Sequence, residues 1–150
     1  MRRLPPVVVL FLALTIVVSC SADGVIEPVE VSGTNGVPVE SDGFDLFENG
    51  TSTDPRLVGT YKLKVECDIT EDGDTAIANC TGPNTMTNDG GSWEGTCEGT
   101  STWTTTEPDH VHVFDCTYLG SGDYEGLRFV QHLEGIDYPW EYTGTLEPVG

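Results

Sequence analysis

Cations are scarce in this chain of 150 residues: only six Lys and Arg stand against 25 Asp and Glu, giving a net charge of −19 at pH 7. Two of the six, Arg2 and Arg3, open the sequence. Nucleic acid is thereby excluded as a partner, because its phosphates need clustered cations. Anionic membrane surfaces are repelled for the same reason. Long apolar runs are also missing. The longest, Val7 to Val18, has twelve positions interrupted only by Thr15. A bilayer core of roughly 30 Å takes about 20 residues to cross as a helix, so this run does not span one. No stretch keeps an apolar period of 3.6, which excludes a helical domain. The Gly-x-Ser-x-Gly elbow, the His-Glu-x-x-His helix and the Gly-rich phosphate loop are all absent from the sequence.

What is present starts with an export signal. Met1-Arg2-Arg3 supplies a positive start, and Val7 to Val18 has the length of a signal-peptide core. The run ends in Val17-Val18-Ser19-Cys20, which resembles the lipobox of bacterial lipoproteins. That resemblance implies a signal peptide over 1–19, removal of that leader, and acyl chains (palmitate among them) on Cys20. Loss of Arg2 and Arg3 with the leader takes the charge from −19 to −21. Several acyl chains, at about 0.8 kcal/mol per buried CH₂, anchor a soluble domain stably. The partner implied is a membrane, reached through lipid, with the domain outside the cytoplasm in the cell envelope. Asn49-Gly50-Thr51 and Asn79-Cys80-Thr81 match the glycosylation pattern. Beside a bacterial lipobox both read as chance.

From Cys20 to Thr53 the composition is rich in Gly, Pro, Val and acids. It reads as a flexible acidic tether over 20–53. A flexible stretch of about 30 residues spans roughly 30 Å on average. After Asp54 the rhythm changes to period two. Leu57, Gly59, Tyr61, Leu63, Val65, Cys67 and Ile69 share one parity, and mostly polar residues the other. This predicts one long strand with a buried face. Trp93 to Thr104 and Trp140 to Glu147 repeat the pattern, and further strands fit 75–82, 111–119 and 124–133. Turn residues at Asp72-Gly73, Asp89-Gly90-Gly91, Pro108-Asp109 and Gly120-Ser121-Gly122 join them. The reading is an all-β domain over 54–150: a small antiparallel up-and-down β-barrel, since closure removes strand edges. An open sandwich is the alternative.

Five cysteines stand at 20, 67, 80, 97 and 116. Lipidation of Cys20 accounts for the odd one and leaves four for an oxidising compartment. In a hairpin, residues equidistant from the turn face each other. Cys67 and Cys80 centre on Gly73-Asp74, Cys97 and Cys116 on Thr106-Glu107, and Cys80 and Cys97 on Asn88-Asp89. The four therefore fall at one level on inward faces. Adjacent strands lie about 4.8 Å apart and a disulfide spans at most roughly 6.8 Å between Cα atoms. Pairing Cys80 with Cys97 would strand the other two, so Cys67–Cys80 and Cys97–Cys116 are expected. A zinc site does not fit, since no C-x₂₋₄-C pair occurs.

Four phrases resemble a group of uncharacterised bacterial exported proteins. They are Asp54-Pro55-Arg56-Leu57-Val58-Gly59-Thr60, Asn88 to Thr96, Gly122 to Phe129 and Tyr142 to Pro148. The resemblance implies a calycin-like barrel similar to allene oxide cyclase and dirigent proteins. It carries no catalytic residue onto this chain, no cofactor and no metal.

The weak candidates for ligand contact are His112, Trp93, Trp103 and Tyr142. His112 has inner-face parity, whereas Asp115 has the opposite one and should point outward. Asp68, Glu71, Asp72 and Asp74 read as a solvated acidic turn rather than a calcium loop. The function expected is a non-enzymatic binding or structural role. An apolar-ligand barrel or a cyclase-like enzyme is the alternative.

Overall fold

The computed structural model describes residues 27–41, 44–104, 110–136 and 138–150. The expected signal peptide over 1–19, the expected lipidation residue Cys20 and the turn at Thr105–Asp109 lie outside them. Eleven strands form one antiparallel curled sheet, a small β-barrel-like fold, with no α-helix among the described residues. The strands are β1 (Val29–Thr34), β2 (Val37–Ser41), β3 (Phe44–Glu48), β4 (Thr51–Ser52), β5 (Thr60–Leu63), β6 (Glu66–Asp72), β7 (Thr75–Asn88), β8 (Gly91–Thr104), β9 (Val111–Gly122), β10 (Leu127–Gly135) and β11 (Glu141–Pro148). Their order in the sheet is β2-β3-β5-β7-β8-β9-β10-β11-β1-β4, with β6 also on β7.

The expected period of two sets the layers. Along β10, Leu127, Phe129, Gln131 and Leu133 are buried and their alternates exposed. The concave face gathers Phe47, Tyr61, Met86, Trp93, Tyr118 and Phe129, each at most 1% exposed. Bulky rings thus fill the centre. The convex face carries acids and threonines.

Three expectations are corrected. The tether over 20–53 does not extend to its predicted end. The sheet begins at Val29, β1 pairs with β11, and Val31 and Phe47 enter the core at 4% and 1% exposure. Single side chains, Val31 and Phe47, seat these strands, while Val29, Val37 and Val39 stay exposed.

Second, the long strand over 57–69 is broken. A short 3-10 turn spans Pro55–Leu57, and the strand is then divided into β5 and β6. Both halves keep one register on β7, Leu63 opposite Asn84 and Glu66 opposite Thr81. Between them Lys64 N–H donates to Pro83 O at 3.1 Å. The reciprocal bond cannot form because proline has no N–H. Gly82 lets the chains close up there, since a Cβ would sit 1.9 Å from Lys64 O. Beyond this break every residue of β6 is exposed, so the predicted inward face of Cys67 and Ile69 is not buried.

Third, the four cysteines do not share one level. Cys67 faces Cys80 and Cys97 faces Cys116, but Cys80 faces Gly99 and Cys97 faces Gly82. The β7–β8 turn is centred one residue later than expected, which displaces the two pairs by two positions. The predicted disulfides are present, Cys67–Cys80 and Cys97–Cys116, each with Cα atoms 4.1 Å apart.

Candidate functional site

The end of β8 and the start of β9 build a row of rings at one mouth of the sheet. Parity puts Ser101 and Trp103 of β8, and His112 and Phe114 of β9, on the concave face. Trp103 stacks on His110 at 5.2 Å with a 10° interplanar angle. His110 lies 5.9 Å from His112, which lies 4.5 Å from Trp140. Tyr138 closes the row, 4.7 Å from Trp140. Phe47 and Phe114 support Trp140 from behind, at 5.9 and 5.8 Å. Trp140 is 4% exposed and Tyr138 is 41% exposed, so the row runs from core to solvent.

Ser101 Oγ lies 2.7 Å from His112 Nδ1. Burial, with the neighbouring His110 adding to it, lowers the His112 pKa below its usual 6.5, so the ring is neutral at pH 7. A neutral imidazole beside a hydroxyl can exchange a proton with it. Asp115 faces outward, as its parity predicts, 2.7 Å from His132 Nδ1. Trp140 Nε1 is buried without a hydrogen-bond partner.

The four sequence candidates are not brought together. His112 and Trp103 meet through His110. Trp93 lies at the opposite end, stacked on Tyr124 at 5.1 Å, its Nε1 donating to Arg56 O at 3.0 Å. Tyr142 is in the core, edge-on to Phe129 at 6.0 Å. Tyr138 was missed because a ring row assembled from three segments leaves no spacing signal.

A second group was also missed. Asn84 Nδ2 donates to Tyr118 OH at 2.6 Å, Tyr118 OH to Gln131 Oε1 at 3.0 Å, and Gln131 Nε2 to Asn35 Oδ1 at 3.2 Å. All three amides are at most 2% exposed. Burial raises the Tyr118 pKa far above the usual phenol value, and the phenol stays neutral. Asn84 Oδ1 has no partner. An available signal was parity, since Asn84 and Gln131 sit at apolar-phase positions of β7 and β10.

On the convex face a groove of about 490 Å³ runs beside β1, β10 and β11, with Glu134 directly opposite Glu141. No cluster of His, Cys, Asp or Glu suited to a metal occurs among the described residues. Comparisons with family models, curated proteins and solved structures find no match.

Proposed function

We propose that this chain is an exported lipoprotein whose barrel-like domain is a non-enzymatic binding module, held at a membrane by acyl chains on Cys20. The observation that carries the reading is the filled interior. Trp93, Tyr61, Tyr118, Phe47 and Phe129 occupy the space that a ligand-carrying barrel keeps empty. Contacts to a partner then belong to the rim and the strand edges. The two disulfides support an oxidising, extracytoplasmic setting. The kinship to exported calycin-like barrels is part of the same proposal and rests on the sequence phrases alone.

The anchor is tested by expressing the full chain in a bacterium that processes lipoproteins and feeding an alkyne-tagged palmitate. Wild type takes up the tag and sediments with membranes, and Cys20→Ser does neither. Wild type recovered soluble and untagged would end the anchoring claim.

The half-buried His112, with Ser101 Oγ 2.7 Å from its Nδ1, favours a second reading, a small ligand at the mouth. Native mass spectrometry with a panel of apolar oxygen-bearing compounds tests it. A retained compound that His112→Gln releases supports this reading, and an empty spectrum across the panel removes it.

A further inference from the structure

We propose that β6 is a docking edge for an extended, basic peptide segment, which adds to the sheet as a further strand. This deepens the binding reading above by naming a partner, and it is independent of the lipid on Cys20.

The sheet path ends at β2 and β4. β4 has two residues, and β2 contains Pro38, which lacks a donor. β6 is different. Its seven residues pair with β7 on one side only, and no strand among the described residues covers the other side. It has no proline and no glycine. The Cys67–Cys80 bond pins its first turn of ladder to the buried part of β7. The edge is therefore preformed, so a partner need not order it.

Backbone direction follows from one distance. The Cα atoms of Cys67 and Cys80 are 4.1 Å apart, the close spacing of a non-hydrogen-bonded pair. Cys67, Ile69 and Glu71 then aim their N–H and C=O groups away from β7, at the open side. Glu66, Asp68, Thr70 and Asp72 spend theirs on β7.

Charge selects the occupant. Four of the seven residues, Glu66, Asp68, Glu71 and Asp72, are acids. None belongs to the ion pairs of the described residues. Two copies of this chain repel along such an edge, which blocks self-pairing. A strand with Lys or Arg at alternate positions meets Glu66, Asp68 and Asp72 on one face. Its intervening aliphatic side chains meet Ile69, which is 59% exposed on the other. Strand addition of this kind draws affinity from main-chain bonds and specificity from alternate side chains.

The experiment uses the exported portion of the chain with both disulfides formed. The probe is the blocked peptide Lys-Val-Lys-Val-Lys-Val-Lys, and its isomer Lys-Lys-Lys-Lys-Val-Val-Val has the same charge. Amide exchange is followed by NMR. The expected result is new protection at Cys67, Ile69 and Glu71 with the alternating peptide and none with the isomer. Ile69→Pro removes one outward N–H and no bond to β7, and weakens binding by roughly tenfold. A second variant, Glu66→Gln with Asp68→Asn and Asp72→Asn, keeps every backbone group and also weakens binding, which shows the charge term even if the proline disturbs the hairpin. Equal binding of the two peptides would reduce the effect to diffuse attraction and overturn the proposal. So would protection elsewhere, or no binding. A failed peptide experiment beside successful palmitate labelling removes this edge and leaves the anchor standing.

Discussion

Tyr118 joins two buried amides, Asn84 and Gln131, across the core. Its hydroxyl accepts from Asn84 and donates to Gln131. Tyr118→Phe leaves Gln131 Oε1 unpaired in the core and Asn84 Nδ2 with only the sulfur of Cys97, at about 1–3 kcal/mol for a buried orphan group. The urea midpoint should fall accordingly with the m-value unchanged, and an unchanged midpoint would mean that the two amides find new partners. His112 makes a prediction about pH. Its folded pKa is lowered, by burial first and by His110 second. The unfolded chain therefore takes up this proton at higher pH than the folded one. Stability from His112 is intact above about pH 6.5, declines as pH falls through that value, and levels off below the folded pKa. Denaturation at pH 7.5 and at pH 5 should show a smaller acid loss in His112→Gln than in wild type. An identical loss would assign the acid sensitivity to other groups. At this scale the sequence was readable where partners share a hairpin. Both cysteine pairs follow from counting out of a turn. The Asn84–Tyr118–Gln131–Asn35 chain crosses strands distant in sequence, and counting does not reach it.

Among elements, the two disulfides brace unlike surroundings. Cys97 and Cys116 are each 1% exposed on central strands, whereas Cys67 is exposed on β6, which covers nothing. Loop closure alone gives both bonds a similar weight, about 3 kcal/mol each. Burial separates them. Under a limiting dithiol, timed alkylation and peptide mass analysis should find Cys67 and Cys80 modified well before Cys97 and Cys116. Simultaneous modification would mean that the domain opens as a whole before either bond is reached. The strands of the second half were legible because each holds several uninterrupted period-two repeats. Pro83 hid part of β7, expected to stop at Gly82 and found to run to Asn88. A proline inside a central strand normally argues against that strand. Here the cost falls on a single ladder position opposite Lys64. Residues 124–126, expected as strand, form a turn in which Leu127 N–H donates to Tyr124 O at 3.1 Å and Gly126 takes φ of 82°. The alternation Val29-x-Val31 and Val37-x-Val39 was visible but too brief to tell from chance in a Gly- and Pro-rich stretch.

For the whole molecule, charge is the dominant feature. A chain of net charge −19 pushes against itself, with cross-strand neighbours such as Glu98 and Asp115 of the same sign. Added monovalent salt should raise the thermal midpoint, by roughly a few degrees up to about 0.15 M, as repulsion between exposed groups is screened. A falling midpoint would place the net effect of salt on attractive pairs such as Arg128–Glu147. Fold class was legible at this scale because one rhythm repeats along most of the chain. Binding partner was not, since edges depend on which strand stops short.

The early start of β1 sets the reach of the proposed anchor. Only eight residues separate Cys20 from Val29, the first residue of the sheet. At no more than about 3.6 Å each, they make a leash of roughly 29 Å at full stretch. If Cys20 carries the acyl chains proposed above, the domain is moored close to the lipid headgroups and swings over a small radius. A tall partner could come to it, but it could not reach far to meet one.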